Sequence, residues 1–150
     1  MSILVYTESE QGKFKKTALE AASYAKAVAN QLGTTVTAVA FNSSDSSELG
    51  NYGVDKVLNI DYTDGFNAKT YADAIKQAAE KEGSKVIIVS SSADSKYLAS
   101  ILAVGLDAGY ASNVVETPVS TSPFTVKRNA FSNKAFNLTE IKSEVKIIVV

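Results

Sequence analysis

The stretch that decides the fold is Val86-Ile87-Ile88-Val89-Ser90-Ser91-Ser92-Ala93-Asp94-Ser95. Four consecutive apolar residues, β-branched throughout, are the pattern of a strand buried on both faces. The small polar loop that follows opens a helix whose apolar line is Leu98, Ile101, Leu102 and Leu106. A strand that feeds a helix in this way is one half of a right-handed crossover, and crossovers build parallel sheets.

The same unit recurs upstream. Ile3 to Tyr6 is an apolar run, and after a polar connection through Gly12 the residues Ala18, Ala22, Ala25, Ala29 and Leu32 form one helical stripe. Gly33 is placed to close that helix. Val36 to Phe41 is a second strand, Ser46 to Tyr52 a short helix stopped by Gly53, and Lys56 to Ile60 a third strand. A helix from about Asn67 to Glu82, closed by Gly83, has Tyr71, Ala72, Ile75, Ala78 and Ala79 on its inner face. From Ser112 onward the pattern changes to short β-like runs, Val114 to Val119, Phe124 to Arg128, Ala130 to Asn137 and Glu144 to Val150. Thr117 to Pro123, with two prolines, reads as a turn or edge segment. The expected fold class is α/β, a Rossmann-like, doubly wound, mainly parallel sheet with antiparallel strands added in the C-terminal third. Val145 to Val150 reads as a central strand, and a chain that stops inside one is expected of a domain cut at its boundary.

The 150 residues suit a single domain, spanning 1–150. Such a chain buries roughly 68–70% of its unfolded surface, and 45% apolar residues supply an ordinary core. There is no histidine and no cysteine. Their absence excludes Ser-His-Asp catalysis, thiol nucleophiles, and His- or thiolate-ligated metal. With 15 cationic against 16 anionic side chains and Arg128 as the single arginine, nothing draws a polyanion, and no nucleic-acid partner is expected. No leader pattern and no apolar run near the roughly 20 residues of a membrane span are present, so a cytoplasmic protein without membrane insertion is expected.

Several segments have side chains that could carry chemistry. The loop Thr7-Glu8-Ser9-Glu10-Gln11-Gly12-Lys13 lies where open α/β sheets place ligands, but it has one glycine and two acids where a dinucleotide wants GxGxxG. It reads as a solvated turn. Ser92 or Asp94 reads as a helix N-cap. Ser95 with Lys96, Asp61 with Asp64, and Glu80 with Glu82 show no reason for burial, so no catalytic residue is expected, and without His or Cys no metal ligand is expected either. Around Lys127-Arg128-Asn129 and Ser132-Asn133-Lys134, the planar fork of Arg128 suits an interface, and Asn133 suits a left-handed turn position.

Five segments together resemble the N-terminal domain of the electron transfer flavoprotein alpha subunit. They are Ile3-Leu4-Val5 with Gly12-Lys13-Phe14 and Thr17 to Glu20; Tyr52-Gly53-Val54-Asp55-Lys56-Val57-Leu58; Val86 to Ser92 with Lys96 to Asp107; Ser112-Asn113-Val114; and Arg128 with Phe131 to Ala135. Phe131 stands where the family has tyrosine, Asn129 where it has proline, and Asn133 where it has glycine. The resemblance implies a scaffold and subunit-interface domain in a heterodimer with a beta subunit, which itself binds AMP. The complex carries electrons from acyl-CoA or other flavin dehydrogenases to a respiratory acceptor, so the chain is an electron-carrier subunit and not an enzyme. FAD belongs to the full complex, held mostly by a second domain, and none is expected here. Arg128, Phe131 and Asn133 are the interface candidates. The competing expectation is a free-standing adenine-nucleotide-binding domain of the universal stress protein type, using the Thr7 and Ser90 to Asp94 loops.

Overall fold

Alternating apolar strands and alanine-lined helices assemble, in the computed structural model, into a sheet covered on both faces; the structure describes residues 1–150. In chain order the elements begin with β1 (Ser2–Tyr6), all five residues buried, then the short hairpin strands β2 (Ser9–Glu10) and β3 (Lys13–Phe14). Helix α1 (Lys16–Leu32) leads to β4 (Thr35–Phe41), a 3₁₀ turn (Ser47–Tyr52) and β5 (Lys56–Ile60). Next come α2 (Ala68–Glu82), β6 (Val86–Val89), α3 (Ala93–Leu106) and β7 (Gly109–Ala111). The last are β8 (Ser120–Thr121), β9 (Phe124–Ala130), β10 (Ala135–Glu140) and β11 (Lys146–Val149).

The main sheet has six parallel strands in the order β5-β4-β1-β6-β11-β7. The α/β, Rossmann-like class is therefore the observed one. Lys146–Val149 is central as expected, lying between β6 and β7. One face packs on α2 and α3 through Leu4, Ile87, Ile147, Ile75 and Leu98. The other packs on α1, where Ala21, Ala22, Ala25 and Ala29 let the helix approach Ile3, Val5 and Ile88 closely. Burying side chains of this size contributes on the order of 2 kcal/mol each before entropy is counted.

The helix ends follow local chemistry. Gly33, Gly53 and Gly83 all take the left-handed conformation that closes a helical turn. Asn67 caps α2 by accepting the Thr70 N–H, and Ser92 caps α3 by accepting that of Ser95. Asp107 closes α3 at φ 51, an exit with no glycine to announce it.

The antiparallel strands do not extend the edge of the main sheet. They form a separate three-stranded sheet, β10-β9-β8, laid on the same face as α1. The cause is the inward set Phe124, Val126 and Ile141, which needs an apolar face and finds it beside Val114 and Ile148. The expected strand Val114 to Val119 is reduced to one bridge, Val114 with Arg128. Pro118 has no N–H for a ladder, and its carbonyl instead accepts from Gln31 of α1 at 3.2 Å.

Candidate functional site

Strand order reverses between β1 and β6: the chain winds from β1 outward through β4, and from β6 the other way toward β7. Open α/β sheets place ligands at such a switch point, in the crevice beyond the carboxyl ends of the two strands. Two loops enter it here, Thr7 to Lys15 after β1 and Ser90 to Ser92 after β6.

The first loop is a hairpin. Gln11 and Gly12 both have positive φ, 52 and 80, the two-residue turn whose twist matches its flanking strands. Glu10 then pairs with Lys13 and Ser9 with Phe14, and the Lys15 N–H donates to the Glu8 carbonyl at 3.1 Å. Lys15 thus lies across from Glu8, and its ammonium reaches Glu8 Oε2 at 2.5 Å. The other carboxylate oxygen crosses the switch point. Ser92 Oγ donates to Glu8 Oε1 at 2.6 Å and Ser95 Oγ at 3.0 Å, with Ser90 Oγ 3.2 Å from Ser95 Oγ.

Glu8 is only 5% exposed, so the loop read as a solvated turn is instead an acid inserted into the crevice. Burial raises the pKa of its carboxyl, but the hydrogen bonds from Lys15, Ser92 and Ser95, with the Lys15 charge, outweigh burial and hold it below the usual carboxylate range. The Lys15 ammonium is held above its ordinary value, chiefly by its hydrogen bond to Glu8. A carboxylate with both oxygens engaged is a poor proton donor or acceptor for a substrate. It is also a fixed negative charge where a nucleotide phosphate would lie, at the N-terminus of α3. Asp94, in the first turn of that helix, adds a second negative charge. The residues at the switch point therefore do not fit the pyrophosphate of FAD or the phosphates of an adenine nucleotide.

Beside Glu8 lies an open cleft of about 450 Å³, walled by Tyr6, Phe41, Phe66 and Tyr71, with Glu10 and Asp94 at its rim. Phe41 and Tyr71 stack at 3.7 Å between centroids, and Tyr6 meets both edge-on. Burial, with the nearby Glu8 charge, pushes the Tyr6 hydroxyl above its ordinary range, so it stays neutral.

The other residues singled out from sequence are scattered. Ser95 is buried against Glu8 while Lys96 points to solvent, so adjacency makes no Ser-Lys pair. Asp61 and Asp64 are exposed in the turn after β5. Glu80 is exposed, but Glu82 is not the solvated helix end expected. Its side chain binds Lys56 at 3.0 Å and accepts from Thr37 at 3.2 Å, at the amino ends of the strands. Arg128 is half-buried, its Nε donating to the Ser112 carbonyl at 2.7 Å. Phe131 and Asn133 sit in the β9–β10 turn, where Phe131, Ser132 and Asn133 have φ of 51, 54 and 66. Phe131 is 80% exposed. The structure thus places the three interface candidates on one hairpin, Arg128 within β9 and the other two at its tip.

The role of Glu8 escaped the sequence reading. Its signal was the Gln11-Gly12 turn, since a two-residue loop there sets Glu8 opposite Lys15. No group of three or more acidic, His or Cys side chains is placed to hold a metal ion, and no helix is long and apolar enough to cross a membrane. Residues 3–150 match the family model described as "Electron transfer flavoprotein domain". Comparison with curated proteins found no match.

Proposed function

The chain belongs to the electron transfer flavoprotein domain family, and from that premise we propose that it is the N-terminal domain of the alpha subunit, serving as scaffold and subunit interface in a heterodimer. Members of the family are electron carriers and not enzymes. In the proposed complex FAD is bound outside these residues, donors are acyl-CoA or other flavin dehydrogenases, the acceptor is respiratory, and the compartment is cytoplasmic.

The observation that carries this reading is the Glu8 carboxylate at the switch point. It takes the position an anionic cofactor would need and turns a ligand crevice into a brace between β1 and β6. The β9–β10 hairpin supports the interface role. A phenylalanine at φ 51 costs roughly 1–2 kcal/mol in backbone strain, and although its carbonyl accepts the Lys134 N–H within the turn, its side chain is four-fifths exposed. An exposed aromatic ring at a hairpin tip is available to a partner surface.

The test is titration of the purified chain with FAD, AMP and ATP by calorimetry, alongside mixing with an electron transfer flavoprotein beta subunit. Heats no larger than dilution, a colourless protein and a complex with the beta subunit are expected. Near-stoichiometric flavin, or micromolar AMP or ATP binding, would overturn the assignment.

A further inference from the structure

The outer edge of β10 pairs with nothing within the chain. The Ile141 N–H donates to the Phe124 carbonyl at 2.9 Å, in the same register that pairs Glu140 with Thr125. That bond fixes the phase of the ladder: Ala135, Asn137 and Thr139 turn their backbone groups toward β9, whereas Phe136, Leu138 and Glu140 turn theirs outward. The edge is six residues long and free of proline, and it has none of the bulges by which edges are usually protected. Phe136 and Leu138 are 60% and 65% exposed on its outer face.

The edge is Ala135-Phe136-Asn137-Leu138-Thr139-Glu140, preceded by the turn residue Lys134, whose N–H donates to the Phe131 carbonyl and whose side chain is exposed. Laid antiparallel against a second copy about Asn137, it is self-complementary. Lys134 meets Glu140, Phe136 meets Leu138, Ala135 meets Thr139, and Asn137 meets itself. The residues with outward backbone groups, Phe136 and Leu138, fall opposite one another, as a hydrogen-bonded pair requires. Both ion pairs and both apolar pairs share one face, where cross-strand partners touch. Shifting the register so that Leu138 meets Leu138 places Lys134 against Lys142 and Phe136 against Glu140, and shifting it so that Phe136 meets Phe136 places Lys134 against Leu138 and Ser132 against Glu140, so only the alignment about Asn137 makes both ion pairs.

We propose that a second copy of this chain docks on β10, fusing two three-stranded sheets across a twofold axis at Asn137. The interface rests on the edge itself and is independent of the family assignment.

Sedimentation equilibrium on the full chain tests it, with a charge reversal and its swap. The wild type is expected to show a concentration-dependent dimer. Glu140→Lys, which sets like charges opposite in both symmetric pairs, should weaken it by about tenfold. The double variant Lys134→Glu with Glu140→Lys should return to within roughly threefold of wild type. The chain has no cysteine, so Asn137→Cys gives one thiol per copy, and mild oxidation should link the dimer through it. A strict monomer up to about 1 mM would overturn the proposal. So would a dimer indifferent to Glu140→Lys, a charge swap that fails to restore it, or a dimer that Asn137→Cys does not cross-link.

Discussion

Ser92 Oγ donates to Glu8 Oε1 at 2.6 Å, joining loops 84 residues apart across the line where the sheet reverses its winding. Ser92 has two tasks, because the same oxygen accepts the Ser95 N–H and caps α3. The crevice that many α/β proteins leave for a phosphate holds this chain's own carboxylate.

Removing that carboxylate should cost stability. Glu8→Ala deletes the acceptor of three hydrogen bonds and the partner of Lys15, a loss on the order of 3 kcal/mol for a buried charged acceptor. Urea unfolding of the two proteins measures it. A difference below about 0.5 kcal/mol, the range of ordinary surface changes, would mean that Glu8 does not brace the switch point.

The same group makes stability depend on pH. Its carboxyl is held below the usual range in the folded state, so the unfolded chain binds the proton more readily and stability rises with pH. The contribution is complete above the ordinary carboxylate pKa, about 4.3, and is lost as pH falls through the depressed folded value. Glu8→Gln should be less stable than wild type near neutrality, and the gap should narrow below about pH 5. Parallel pH profiles would contradict the direction of the shift.

Gly109 marks a tight contact in which β7 passes under the returning chain. Its N–H donates to the Val145 carbonyl and to Ser143 Oγ, and an added Cβ would overlap Ser143 and lie 2.6 Å from Ile141 Cγ2. Gly109→Ala is expected to destabilise by about 1–3 kcal/mol. Thermal unfolding decides, and an unchanged midpoint would show that the Ile141 to Ser143 segment yields freely.

At the hairpin tip the expected sign is opposite. Phe131→Gly removes a bulky residue from a left-handed position and exposes no core, so it should stabilise the isolated chain by roughly 0.5–1 kcal/mol. A destabilised variant would mean that the Phe131 side chain supports the fold.

The alternation of strands and helices was legible because each unit carries a local signal. Ile3 to Tyr6 and Val86 to Val89 are apolar throughout, and Gly33, Gly53 and Gly83 punctuate helical turns. Where the antiparallel strands go was not legible, because Phe124 and Val126 read as inward residues of any sheet, and only the space beside α1 decides the partner. At the switch point, acidic loops argued against a phosphate but gave no sign of burial. A charge is buried only when its partners are supplied, and two of Glu8's partners come from the far side of the sheet.

The proposed interface role rests on Phe131, exposed at the β9–β10 tip. Its most direct measurement is the affinity of the chain for an electron transfer flavoprotein beta subunit, compared between wild type and Phe131→Asp. A one-to-one complex is expected, and Phe131→Asp should weaken it by at least about thirtyfold, as losing an aromatic anchor does. No complex, or equal affinity for the two proteins, would contradict it.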